Sequence, residues 1–198
     1  MLATLIPFFD KNMKVCAYSL FSQKENSLLN PPIFGTSSAT GLAEIEGLDI
    51  IRNIGIDTLS PGTDVLVPVN HIAIFSNLEE QCVGLRGRLV LLFDKTIENT
   101  ESYRKRLSEL RQKGFKLAIM KLPINELEQN KELLTLRDYI ILDQKKVDVT
   151  KAKIYFGHLY PNLTICIGNI ESQEIFDALK DDDSFRYFEG NFYRIPIT

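Results

Sequence analysis

Apolar and polar positions along the chain fall into short blocks whose period switches repeatedly between two and 3.6. "ATLIPFF" and "KVCAYSLF" flank the polar "DKNM", the pattern of an antiparallel hairpin. "GLAEIEGLDIIRNIG" (41–55) places Leu42, Ile45, Leu48, Ile51 and Ile54 on one face of a helix. "TDVLVPV" predicts a strand, and the following "IAIFSNLEEQC" a helical segment. "GRLVLLFD" (87–94) is apolar on both faces, as a strand inside a parallel sheet must be. "NTESYRKRLSELRQKG" (99–114) predicts the clearest helix, with Thr100 as its cap and Tyr103, Leu107 and Leu110 as its buried stripe. Glu101–Lys105 and Glu109–Lys113 are spaced as i,i+4 pairs, and Gly114 ends the helix.

Strand "FKLAIM", helix "INELEQNKELL", strand "DYIILD" and a helix after "VDVT" follow, then strand "LTICIG", helix "SQEIFDALKDD" and strand "RYFEG". The blocks make roughly eight strands, the later ones alternating with helices, and a closed α/β barrel with an irregular first hairpin is the economical architecture. An open doubly wound sheet is the competing fold. "KENSLLNPPIFGTSSAT" (24–40), rich in Pro, Ser and Asn, predicts a loop.

Composition narrows the partners. At 198 residues the chain suits a single domain, 1–198, and 44% hydrophobic residues supply a sizeable core. A formal charge of -3, with no basic block, argues against a nucleic acid polymer or an anionic membrane as partner. No segment approaches the length of apolar chain that spans a bilayer, so a cytoplasmic protein is expected. The three cysteines, Cys16, Cys82 and Cys166, form no CxxC and read as thiols in a reducing compartment. Neither His71 nor His158 has a partner at ligand spacing, and Asp181–Asp183 read as a solvated turn. Searches for GxGxxG, the P-loop, HExxH and GxSxG find nothing.

Taken in order, longer stretches resemble a known bacterial family. "IPFFDKNMKVCAYSLF", "LRQKGFKLAIMKL", "DYIILD", "TICIGNIES" and "YFEGNFYRIP" are similar to landmarks of EAL domains, the barrels that hydrolyse cyclic di-GMP. The resemblance covers nearly all 198 residues and is nearest to the branch in which an EAL-like barrel precedes an HDOD domain. It implies a TIM-like (β/α) barrel of the EAL type with an antiparallel first strand, in agreement with the strand count.

The family's chemistry uses two divalent cations, held by carboxylates and an amide at strand ends, to activate water against a phosphodiester. By the resemblance, most of those positions are substituted here. The signature Glu falls on Ser19, and the Asn ligand on Pro68, with Asn70 two residues on. The next Glu falls on Leu92, and a nearby acidic position on Lys95. The paired aspartates of the fifth strand fall on Met120 and Lys121, and the catalytic Lys on Ile141. Asp143 and Glu171 are kept, a seventh-strand Glu falls on Gly168, and the Gln–Gly pair reads Glu189–Gly190. The nucleotide-contacting Gln and Arg fall on Ile6 and Gln23. Losing one oriented catalytic group commonly costs ~10²–10⁴ in rate, and here most are replaced together.

The expectation is therefore a signalling or scaffolding barrel without catalytic residues, bound metal or cofactor. A vestigial pocket would consist of Ser19, Asn70, Leu92, Met120, Lys121, Asp143, Glu171 and Glu189. Its partner would be a protein or a neighbouring signalling domain, with cyclic di-GMP not expected to bind. The alternatives are a cyclic-di-GMP receptor or a residual phosphodiesterase. A third is a barrel repurposed for another ligand around Asp143, Glu171, Glu189 and Lys121.

Overall fold

The computed structural model describes residues 2–23, 45, 47–120, 122 and 124–190; the loop expected at 24–40 and Lys121 lie outside them. Eight strands close into one barrel in chain order. They are β1 (Leu2–Phe9), β2 (Val15–Gln23), β3 (Asp64–Pro68), β4 (Leu89–Phe93), β5 (Lys116–Met120), β6 (Tyr139–Asp143), β7 (Thr164–Ile170) and β8 (Tyr187–Gly190). β1 runs antiparallel to both β2 and β8, and every other neighbouring pair is parallel. The open-sheet alternative is thereby excluded.

The hairpin turns on Asp10, whose Oδ1 accepts the N–H groups of Asn12 (2.8 Å) and Lys14 (2.9 Å). That is the local hydrogen bonding expected of an Asp at a turn. Parity then divides each strand. Leu66, Val90, Leu92, Ala118, Ile141 and Cys166 point into the barrel with Phe8 and Ala17. Alternate residues such as Val65, Leu91, Phe93 and Leu117 pack outward against the helices. β4 is buried at all five positions because it is covered on both sides.

Among the described residues the helices are α1 (Leu48–Ile54), α2 (Ile56–Leu59), α3 (Leu78–Gln81), α4 (Glu101–Gln112), α5 (Lys131–Thr135), α6 (Val149–Leu159) and α7 (Gln173–Leu179). Two predicted helices are shorter than their periodicity implies. Of the 41–55 pattern, residues 41–44 (with Leu42) and 46 lie outside the described residues; Leu48–Ile54 is helix, and Ile54 is half exposed instead of joining the buried face. "IAIFSNLEEQC" and "INELEQNKELL" each split into a 3₁₀ turn and one short helix.

α4 buries Leu107 and Leu110 as expected, with Tyr103 half buried. Thr100 is its N-cap residue but makes no side-chain cap hydrogen bond. Lys113 reaches outside the helix to Glu79 at 2.6 Å, while Glu109 lies 3.6 Å from Arg106 of the same helix, an i,i+3 pair. Gly114, at φ 85, stops the helix. Its N–H bonds Arg111 O at 2.9 Å and that of Phe115 bonds Leu110 O at 3.1 Å, the paired bonds of a Schellman end.

The Asp181–Asp183 turn is tied as well as solvated, through Lys153–Asp182 (2.6 Å) and Lys11–Asp183 (3.2 Å). Cys16, Cys82 and Cys166 are free thiols, the last two buried. Among the described residues no helix is long and apolar enough to cross a membrane.

Candidate functional site

In a parallel barrel the carboxyl ends of the strands converge on one face, where side chains from many elements can meet. Here β5 brings Met120 to that face, β6 brings Ile141 and Asp143, β7 brings Gly168 and Asn169, and β8 brings Glu189. Together these six residues line a cavity of about 180 Å³. Met120 also borders a recess of about 270 Å³ on the β3–β4 side, with Phe21, Pro68, Asn70 and Leu92.

The two carboxylates are joined through Asn169. Its Nδ2 donates to Asp143 Oδ1 at 3.1 Å, and its backbone N–H donates to Glu189 Oε2 at 3.2 Å. Gln144 Nε2 holds the Asn169 carbonyl at 3.1 Å. The arrangement depends on an irregularity. Between the pairs Ile167↔Phe188 and Ile170↔Gly190, β7 carries one residue more than β8, a bulge. Asn169 sits in that bulge at φ 66, in the left-handed region that Asn tolerates better than most residues. Sequence reasoning passed over Asn169; the signal available was a Gly–Asn pair at the carboxyl end of an apolar strand.

The surroundings push the two carboxyls in opposite directions. Burial works to raise Asp143, but hydrogen bonds from Asn169 and the Lys145 N–H, with the Lys146 ammonium at 3.5 Å, outweigh it and lower its pKa. Burial raises Glu189, and the nearby Asp143 charge adds to that, while the Asn169 N–H offsets part of it. Glu189 therefore holds its proton to higher pH than an exposed glutamate does.

The other expected pocket residues are placed as follows. Leu92 is buried in the barrel interior. Ser19 is 3% exposed in β2, opposite Ile6 and Leu66, and lines neither recess. Asn70 uses its Oδ1 to accept the N–H groups of Ile72 (2.9 Å) and Ala73 (2.8 Å), which shapes the turn after β3. Glu171 is half exposed and paired with Lys145, away from the cavity. Met120, Asp143 and Glu189 are thus the members of the expected set that share the β5–β8 cavity, and Asn70, Leu92 and Met120 share the other recess.

A dinuclear magnesium or calcium site does not fit this donor set. Each such ion takes about six or more oxygen ligands, whereas the cavity presents two carboxylates already engaged by one amide residue. Among the described residues no group of three or more His, Cys, Asp or Glu side chains could hold a metal ion. Gly168, on the position the resemblance assigns to a ligand Glu, faces Glu189. A Cβ there would lie 3.0 Å from Glu189 Oε2 and 3.2 Å from Ile141 Cγ2.

No family model matches the sequence, and no curated protein matches it. Solved structures do match the fold. The chain is similar to the EAL-like domain protein YdiV, at 14% identity and a TM-score of 0.68, over 95% of this chain and 88% of that one. It is similar to a standalone EAL protein from Vibrio cholerae O395 in its c-di-GMP bound form, at 13% identity and a TM-score of 0.66, over 95% and 88% of the two chains. It also matches the EAL enzyme Bd1971 in a cAMP and cyclic-di-GMP bound form, at 13% identity and a TM-score of 0.64, over 95% of this chain but only 60% of that longer one.

Proposed function

From the EAL-type fold as premise, we propose that residues 1–198 form one barrel domain that acts without catalysis, as a signalling or scaffolding module recognised by a protein partner. The observation that carries this reading is the chemistry of the strand ends. Pro68 ends β3, Leu92 stands near the end of β4 and Met120 ends β5. None of these side chains offers an oxygen to a cation. Ile141, on the position of the family's catalytic Lys, offers no amine. The fold survives such replacement because its core is built from apolar layers that never required the site.

The second reading is a cyclic-di-GMP receptor. Two matched EAL proteins are described with that nucleotide bound, and two recesses open side by side at this barrel's mouth. Isothermal titration with cyclic di-GMP, with and without Mg²⁺, separates the readings. No heat of binding in either condition is expected, and saturable binding would favour the receptor.

Turnover tests the loss of catalysis. The parent is expected to give no linear dinucleotide above a no-protein blank. Met120→Asp combined with Lys121→Asp is expected to do no better, because groups that act as a unit are strongly non-additive. Restoring those two carboxylates leaves Ser19, Leu92, Ile141 and Gly168 unchanged. Mg²⁺-dependent hydrolysis by the double variant would show that the remaining mouth can still assemble a metal site.

A further inference from the structure

Arg137 lies between α5 and β6 and is 3% exposed. Its Nε, Nη1 and Nη2 have no hydrogen-bond partner among the described residues. The guanidinium stacks over the Phe93 ring, 4.9 Å from its centroid, on the helix-facing side of β4. The adjacent Asp138 carboxylate is committed elsewhere, to Arg111 Nη2 at 3.2 Å and to the Leu117 N–H at 2.8 Å. Burial pushes the guanidinium pKa down to about 9, with Asp138 acting to raise it and Arg111 to lower it, so it remains charged at neutral pH.

A buried charge with every donor empty is among the costliest arrangements a fold can hold, and a cation–π contact returns only part of that cost. The corner that encloses it is weakly fastened. α5 is a single five-residue helix. Its ties to α4 are Arg104–Glu132 at 2.9 Å and Arg111 Nη1 to Thr135 O at 3.1 Å, and the Glu132 side chain is 55% exposed. Exposed pairs of this kind contribute little.

We propose that residues 130–137 form a local latch, hinged at Asp138, which stays bonded to β5 and β7, and that it swings open to hydrate Arg137 while the rest of the barrel stays folded. Opening uncovers Leu133 and Leu134, which are fully buried in the closed form, and so creates a conditional apolar surface beside β5 and β6. The driving force is hydration of one guanidinium, and the restraint is burial of two leucines. Segments drawn from the low-stability end of a fold are the ones that move in regulation. The proposal is independent of whether the barrel mouth binds a nucleotide.

The test is amide hydrogen exchange on the whole chain and on Arg137→Met, which keeps the length and apolar stem but removes the charge. In the parent, the amides of Leu134, Leu136 and Arg137, all hydrogen-bonded within the corner, are expected to exchange at least tenfold faster than those of Leu107 and Leu110 in α4. In Arg137→Met the amides of residues 134 and 136 are expected to slow by about tenfold or more, and the melting temperature to rise by about 3 °C. Corner exchange in step with α4 in the parent would overturn the proposal. So would unchanged corner exchange in the variant, a lower melting temperature, or a variant that fails to fold.

Discussion

Gly190→Ala is expected to lose the folded barrel, or to melt at least about 10 °C below the parent, a penalty of about 4 kcal/mol or more. A Cβ at Gly190 would stand 2.0 Å from Ile170 O, 2.7 Å from Ile170 C and 2.8 Å from Ile170 N. These are backbone atoms, so no side chain can swing aside to make room. The crowding has a topological origin. The β7 bulge at Gly168–Asn169 bends that strand toward β8 at the pair Ile170↔Gly190. β8 is also the strand that closes the barrel against β1, through Phe8↔Glu189 and Phe9↔Phe188. A methyl group at this point strains β7–β8 and with it the closure. Gly157→Ala is the matched control: it lies in α6, where a Cβ meets nothing within 4 Å. Helix propensity alone then predicts a rise of about 2 °C. Thermal unfolding followed by circular dichroism reads both, and equal melting temperatures for the two variants would mean that the β7–β8 approach is not tight.

Arg106→Ala is expected to cost about 3–5 kcal/mol, the range for breaking a largely buried ion pair from one side. Arg106, on α4, donates from Nε to Ile74 O (2.8 Å) and from Nη2 to Ser76 O (2.9 Å). It also grips Glu79 of α3 through both terminal nitrogens, at 2.9 and 3.0 Å. The two side chains are 12% and 14% exposed, and Lys113 adds a contact to Glu79 at 2.6 Å. One guanidinium therefore fastens the whole β3–α3 connection to α4.

The same cluster fixes a pH dependence. Hydrogen bonds from Arg106, and then from Lys113, hold the Glu79 carboxyl down at about 2, against an ordinary 4.5. A group lowered by folding contributes stability that is complete above its unfolded pKa and disappears as pH falls through its folded one. A depression of this size is worth roughly 3 kcal/mol. Urea unfolding at pH 5 and at pH 3 should show a marked loss of stability in the parent. Glu79→Gln should be less stable than the parent at pH 5 and should lose less on acidification. Parallel losses in the two proteins would remove Glu79 as the source.

Much of the barrel is legible along the chain, because its strands satisfy a local rule. A β/α barrel buries both faces of its strands, so "LVLLF" needs only its apolar run to declare itself, and β4 is buried throughout. The stripe of α4 and its end at Gly114 are equally local, because they are set by the 3.6-residue period and by a left-handed residue within one turn. The apolar chemistry of Leu92, Met120 and Ile141 is visible without coordinates because a side chain's chemistry does not depend on where it folds.

Other features required the fold. Gly55, at φ 90, ends α1 and starts a second short helix, α2, that the 41–55 pattern does not contain. Lys113 turns to Glu79, which is far away in sequence and comes within reach only in the fold. Asn169 joins Asp143 to Glu189 only because a bulge turns its backbone into the left-handed region. Arg137 looks like any loop arginine until the fold buries its guanidinium over Phe93 of β4. For Lys113, Asn169 and Arg137 the deciding partner comes from another strand or helix, and that pairing exists only once the barrel is closed.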